Sequence, residues 1–117
     1  NHPGYSPVTL GLLHGSMPDA MIFSHKVGAL TIEGYEHCPL PSLNRLIEIN
    51  EEAVSWLRPE RSSKVVALSL ITHPLAEQEA RDAIKRVEDE TGLPATDVVR
   101  FGADVLMNAL SSFLHTP

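Results

Sequence analysis

The sequence predicts an α/β protein: a three-layer arrangement with a mostly parallel sheet flanked by helices. Three observations point there. Short apolar runs at 20–24, 64–71 and 96–99 alternate with helix-like patterns at 7–15, 41–58, 75–91 and 103–114, and strands alternating with helices build parallel sheets through helical crossovers. The run KVVALSLI, 64–71, is β-branched-rich and nearly continuously apolar, as a strand covered on both faces must be. The three longer helical segments each carry an apolar stripe at the helical period.

Taken in order, PVTLGLLHG at 7–15 sets Val8, Leu12 and Leu13 at helical spacing, with Pro7 suited to a first turn and Gly15 to a C-terminal cap. AMIFS at 20–24 is a short apolar run between Pro18-Asp19 and His25-Lys26 and reads as a buried strand. Residues 26–40 lack periodicity, contain Gly28, Gly34 and Pro39, and read as a long loop. In 41–58, Leu43, Leu46, Ile47, Ala53, Val54 and Leu57 share a face opposite Glu48, Glu51 and Glu52, and Pro59 stops the helix. In 75–91, Ala76, Ala80, Ala83, Ile84 and Val87 form a stripe ended by Gly92 and Pro94. TDVV at 96–99 reads as a short strand, and 103–114 places Val105, Leu106, Ala109, Leu110 and Phe113 together.

The chain has 117 residues, 43% hydrophobic and 21% charged, which fits one small α/β unit with its own core. Its one cysteine, Cys38, rules out an intramolecular disulfide and fits a reducing, cytoplasmic setting. No apolar run nears the ~20 residues a membrane span requires. The net charge of −6, with scattered Lys and Arg, argues against nucleic-acid binding, which needs a concentrated cationic surface. A three-stranded parallel sheet has two open edges, and the opening helix follows no strand. Further strands before residue 1 are therefore expected, with a second polypeptide or self-association covering the open edge. A start at Asn1 without Met agrees with a cut or processed chain.

Ligands of open α/β sheets bind beyond the carboxyl ends of the strands. Ser24, His25, Lys26, Thr72, His73 and Arg100 fall there, and Tyr5 and Ser6 should join them. Polar and cationic groups thus collect on one rim of an acidic protein, which suits a small anionic molecule, with helix N-termini adding N–H donors. The six histidines show no i, i+3 or i, i+4 pairing and no zinc-like spacing, so no metal site is expected. G-x-S-x-G and GxxxxGK[ST] are both absent. His37 beside Cys38 could activate a thiolate, although a lone cysteine is more often inert.

Several motifs stand in order: HPGYSPVTLGLLHGSMPDA at 2–20, IFSHKVG at 22–28, PLPSL at 39–43, VVALSLITHPLAEQEAR at 65–81 and ETGLPATDVVRFGADVL at 90–106. Together they resemble the C-terminal part of a bacterial family long described only as of unknown function or as epimerase-like, whose members include D-glutamate N-acetyltransferases. The resemblance implies the C-terminal half of a P-loop NTPase-like domain, similar to dethiobiotin synthetase, with the phosphate loop lying before residue 1. It also implies acetyl-CoA as co-substrate, with a nucleotide and Mg a further expectation for the parent domain.

Carried over by position, His2, Tyr5 and Ser6 match the loop after an acidic turn, and Thr9 and His14 match the next helix. Ser24-His25 falls where relatives often have Cys-His. Thr72 closes Ser69-Leu70-Ile71-Thr72-His73, where relatives read S-L-N-T-S, so Ile71 replaces an Asn that would contact a base. Arg100-Phe101-Gly102 matches an R-F-G motif of no assigned chemistry. The leading expectation is acetyl transfer to D-glutamate or a related acidic amino acid, with His25 and His2 as candidate bases. Tyr5, Ser6, Ser24, Lys26, Thr72 and Arg100 are expected to contact substrate. Alternatives are a nucleotide-dependent ligase or kinase-like enzyme of the dethiobiotin-synthetase type, and a non-catalytic structural or oligomerisation half.

Overall fold

A computed structural model describes residues 6–32, 34–60 and 62–116. The elements are α1 (Ser6–Ser16), β1 (Ala20–Lys26), β2 (Thr31–Ile32), β3 (Tyr35–Pro39), α2 (Leu43–Ser55), β4 (Lys64–Ile71), α3 (Glu77–Thr91), β5 (Ala95–Thr96), α4 (Val98–Phe101) and α5 (Asp104–Leu114). They fall into two compact units, Asn1–Asp19 with Gly28–Lys64 and Ala20–Val27 with Val65–Pro117.

The second unit carries the sheet, in the order β1-β4-β5. It is parallel, as expected. Leu68 and Ser69 of β4 pair with Ala95 and Thr96 of β5. Along β1, Lys64 N donates to Asp19 O at one end and Val27 N to Ile71 O at the other. Strand β4 has the bounds read from sequence, and Val65, Ala67, Leu68 and Leu70 are buried. Complete burial of a side chain such as Leu68 contributes about 1.5–3 kcal/mol. Helices α3 and α5 pack on β5, and α5 also meets β1. Ala80, Ala83 and Val87 form the buried stripe of α3. That helix ends at Gly92, whose φ of 70° is the left-handed cap conformation, with Gly92 N donating to Glu88 O.

In the first unit α1 packs on α2. His14 Nε2 lies 2.7 Å from Ala53 O, and the His14 ring sits 5.3 Å from that of Trp56. Of the expected stripe, Val8 and Leu12 are exposed, while Leu13 faces α2 together with Leu10. The segment is apolar on more than one side, so spacing did not settle which stripe packs. Ser42 caps α2, its Oγ accepting from Arg45 N at 3.2 Å.

Two expectations are corrected. Residues 26–40 contain an antiparallel hairpin, β2 with β3, rather than a loop throughout. Gly34, at φ 82°, turns the chain into β3 from β2, which at two residues is too short to show alternation. The 96–99 segment is not a strand through its length. Strand β5 ends at Thr96, and Asp97 caps the short helix α4 containing Val98 and Val99. Among the described residues no helix is long and apolar enough to cross a membrane.

Candidate functional site

The carboxyl edge of the sheet is organised by one buried carboxylate. Asp97, extended at φ −99° and ψ 106°, leaves β5 and begins α4. Its Oδ1 accepts from Val99 N at 3.0 Å and Arg100 N at 3.3 Å. Its Oδ2 accepts from Thr72 N at 3.1 Å and Thr72 Oγ1 at 2.5 Å. Arg100 Nε approaches the same oxygen at 3.8 Å, while Arg100 Nη2 donates to Leu75 O. The chain just past β4 is thereby tied to the start of α4. Burial pushes the Asp97 carboxyl up, but the hydrogen bonds from Thr72, then those from Arg100 and Val99, outweigh it and hold the group below the usual carboxylate value.

At the end of β1, Ser24, His25 and Lys26 form the last three residues of the strand itself. Strand alternation leaves Ser24 and Lys26 exposed and His25 half-buried. Burial lowers the His25 pKa from its ordinary value, and the Glu90 carboxylate acts weakly in the opposite sense. The imidazole is therefore mostly neutral at neutral pH, the form that accepts a proton. The Val27–Ile71 hydrogen bond sets this end of β1 beside the end of β4.

A cavity of about 280 Å³ opens on the same unit, lined by Glu77, Arg81, Arg100 and Phe101. The Arg81 guanidinium lies 4.2 Å over the Phe101 ring. Glu77 Oε1 accepts from Arg81 Nη2 at 3.0 Å and from Nε at 3.3 Å. The first turn of α3 carries Glu77 and Glu79, and Glu79 accepts from Ala76 N at 3.3 Å. Its own carboxylates thus face the helix N-terminus that was expected to offer donors to an anion.

Of the predicted site residues, Ser24, His25, Lys26, Thr72 and Arg100 all lie at this edge. Thr72, expected to meet substrate, is 1% exposed, and both its N–H and its hydroxyl are committed to Asp97. It holds the rim in place and presents no surface to a ligand. His2 and Tyr5 lie outside the described residues, as does the side chain of Ser6. Among the described residues no group of three His, Cys, Asp or Glu side chains could hold a metal ion. The sequence reading missed Asp97 and Arg81. Asp ahead of Val-Val-Arg is a helix N-cap signature, which the β-branched pair obscured.

A family model described as "Domain of unknown function (DUF1611_C) P-loop domain" matches residues 1–107. The chain is 37% identical over 111 residues to a D-glutamate N-acetyltransferase of Tritonibacter scottomollicae, covering 95% of this chain and 33% of that protein. It is 32% identical over 107 residues to a D-glutamate N-acetyltransferase of a Pseudoalteromonas species, covering 92% of this chain and 32% of that one. The crystal structure of a DUF1611 family protein from Anabaena variabilis superposes with a TM-score of 0.90 at 40% identity, covering 95% of this chain and 32% of that one. The chain thus spans about a third of the length of each of these relatives.

Proposed function

This chain belongs to the DUF1611 P-loop domain family, and from that membership we propose that it forms the carboxyl-terminal part of an N-acetyltransferase. The enzyme moves an acetyl group from acetyl-CoA to the amine of D-glutamate or a related acidic amino acid. The observation that carries the reading is His25, a half-buried imidazole favoured in its neutral form at the carboxyl edge of the sheet. The names of the relatives at 37% and 32% identity support the acceptor and the group transferred.

The reaction needs a free amine. His25 takes a proton from the substrate ammonium. The amine nitrogen attacks the thioester carbonyl carbon, a C–N bond forms, the C–S bond breaks, and the departing CoA thiolate takes up the proton that the nitrogen loses on becoming an amide. Lys26 or Arg100 pairs with a substrate carboxylate, and Ser24 supplies a hydrogen bond. The reading goes with a cytoplasmic, self-associated protein.

The test is release of free CoA thiol by the full natural protein, dependent on D-glutamate, compared between wild type and His25→Gln. A His25→Gln enzyme with unchanged turnover would remove His25 from this role. The P-loop description of the family favours a second reading, a nucleotide-dependent ligase or kinase-like enzyme. Calorimetric binding of ATP, in a protein that does not bind acetyl-CoA, would select it.

A further inference from the structure

The geometry points to the cavity between Arg81, Arg100 and Phe101 as the pocket that holds a carboxylate of the acidic acyl acceptor. This deepens the acetyltransferase reading and rests on it. Two guanidinium groups from different helices line one cavity of about 280 Å³. Arg100 is held at Nη2 by Leu75 O and at Nε by Asp97, and the guanidinium carries further donors on Nη1. Arg81 is steadied against the face of Phe101. Its Nε–Nη2 edge already holds a carboxylate oxygen, that of Glu77. Glu77 therefore stands in for a ligand carboxylate and shows how one seats.

That internal pair is easily displaced. The Glu77 side chain is 71% exposed and that of Arg81 54%, and exposed helical ion pairs hold weakly. A bound acid bridging Arg81 and Arg100 gains a second cation that Glu77 does not have in the structure. The pocket also gives the Arg100-Phe101-Gly102 motif a use. Arg100 supplies one cation and Phe101 the platform for the other. Gly102, at φ 83° and ψ 178°, adopts backbone open essentially only to glycine as the chain leaves α4. A guanidinium fork also suits phosphate, so the anionic groups of CoA are the competing source. The carboxylate already seated on Arg81 favours the acceptor.

The test is calorimetric titration of the full natural protein with D-glutamate, glutarate and CoA separately. Arg81→Gln should weaken D-glutamate and glutarate binding at least tenfold and leave CoA binding unchanged, because a charge-assisted pair is lost. Glu77→Gln should tighten D-glutamate binding several-fold, because the competing carboxylate is gone. A purely structural ion pair would give no tightening. Both side chains are exposed, and far-UV circular dichroism checks that both variants fold. Unchanged D-glutamate affinity in Arg81→Gln, a loss of CoA affinity instead, or no binding of either acid by wild type overturns the pocket. Acetyl transfer with an unchanged KM for D-glutamate in Arg81→Gln sinks the pocket and spares the acetyltransferase reading. Arg81-dependent acid binding without acetyl transfer does the reverse.

Discussion

Thr72 and Asp97 meet through two hydrogen bonds to a single carboxylate oxygen, from Thr72 N at 3.1 Å and Thr72 Oγ1 at 2.5 Å. The other oxygen caps α4. One side chain thus fixes where the backbone leaves β4 and where Arg100 begins its reach. The rim is thereby organised by a carboxylate that is itself buried.

Asp97→Ala should therefore destabilise the protein by about 3 kcal/mol or more, since it leaves several donors without an acceptor in a residue only 4% exposed. Urea unfolding measures this. Asp97→Asn should recover part of the loss, because it keeps an acceptor for α4.

The Asp97 carboxyl is held below its usual value in the folded state. Its contribution to stability is then fully present above the unfolded carboxylate value and is lost as pH falls through the lower folded value. Stability profiles of wild type and Asp97→Asn should converge as the pH drops through that window. Parallel profiles would show that Asp97 does not titrate as described.

His25 gives a second pH signature. Its folded pKa lies below its unfolded one, so between the two values the unfolded chain binds more protons and stability rises with pH. The contribution is complete above the ordinary histidine value of roughly 6.5 and is lost as pH falls through the folded value. If His25 is the base, the acidic limb of kcat/KM lies below pH ~6.5, and His25→Gln lowers turnover by roughly 10²–10⁴-fold.

Gly102 and Gly11 should respond in opposite directions to alanine. Beyond the chain neighbours and, for Gly11, the backbone of its own helix, neither has an atom within 4 Å of where a Cβ would sit, so backbone conformation decides. Gly102→Ala is strained at φ 83° and should cost about 1–3 kcal/mol. Gly11 lies inside α1, and Gly11→Ala should stabilise by up to about 1 kcal/mol. Thermal unfolding of both variants checks the pair.

His14 ties α1 to α2 through Ala53 O and lies beside Trp56, the chain's one tryptophan. His14→Ala should cost about 1 kcal/mol and shift the emission of Trp56. An unchanged emission spectrum would place the ring away from the indole.

Much of this was legible in the residues, for identifiable reasons. The KVVALSLI run, rich in β-branched residues, read as a strand covered on both faces, and β4 has the same bounds in the structure. Gly92 marked the end of α3 because glycine alone enters the left-handed cap without strain. The β2–β3 hairpin was not legible, since two residues in one strand carry no period. Asp97 was hidden because Val98 and Val99 favour strand locally, while the cap bonds of Asp97 turn them into helix. The rim residues Ser24, His25 and Lys26 were legible from where the apolar run at 20–24 ends. The Arg81 partnership with Phe101 was not, because it joins α3 to α4 across residues distant in sequence.

The central claim is acetyl transfer to an acidic amino acid. Mass spectrometry of the full natural protein incubated with isotopically labelled acetyl-CoA and D-glutamate tests it most directly. The account predicts labelled N-acetyl-D-glutamate accumulating in step with free CoA and greatly slowed by His25→Gln. Thiol release with no labelled amide, or no reaction with any acidic amino acid, would contradict it.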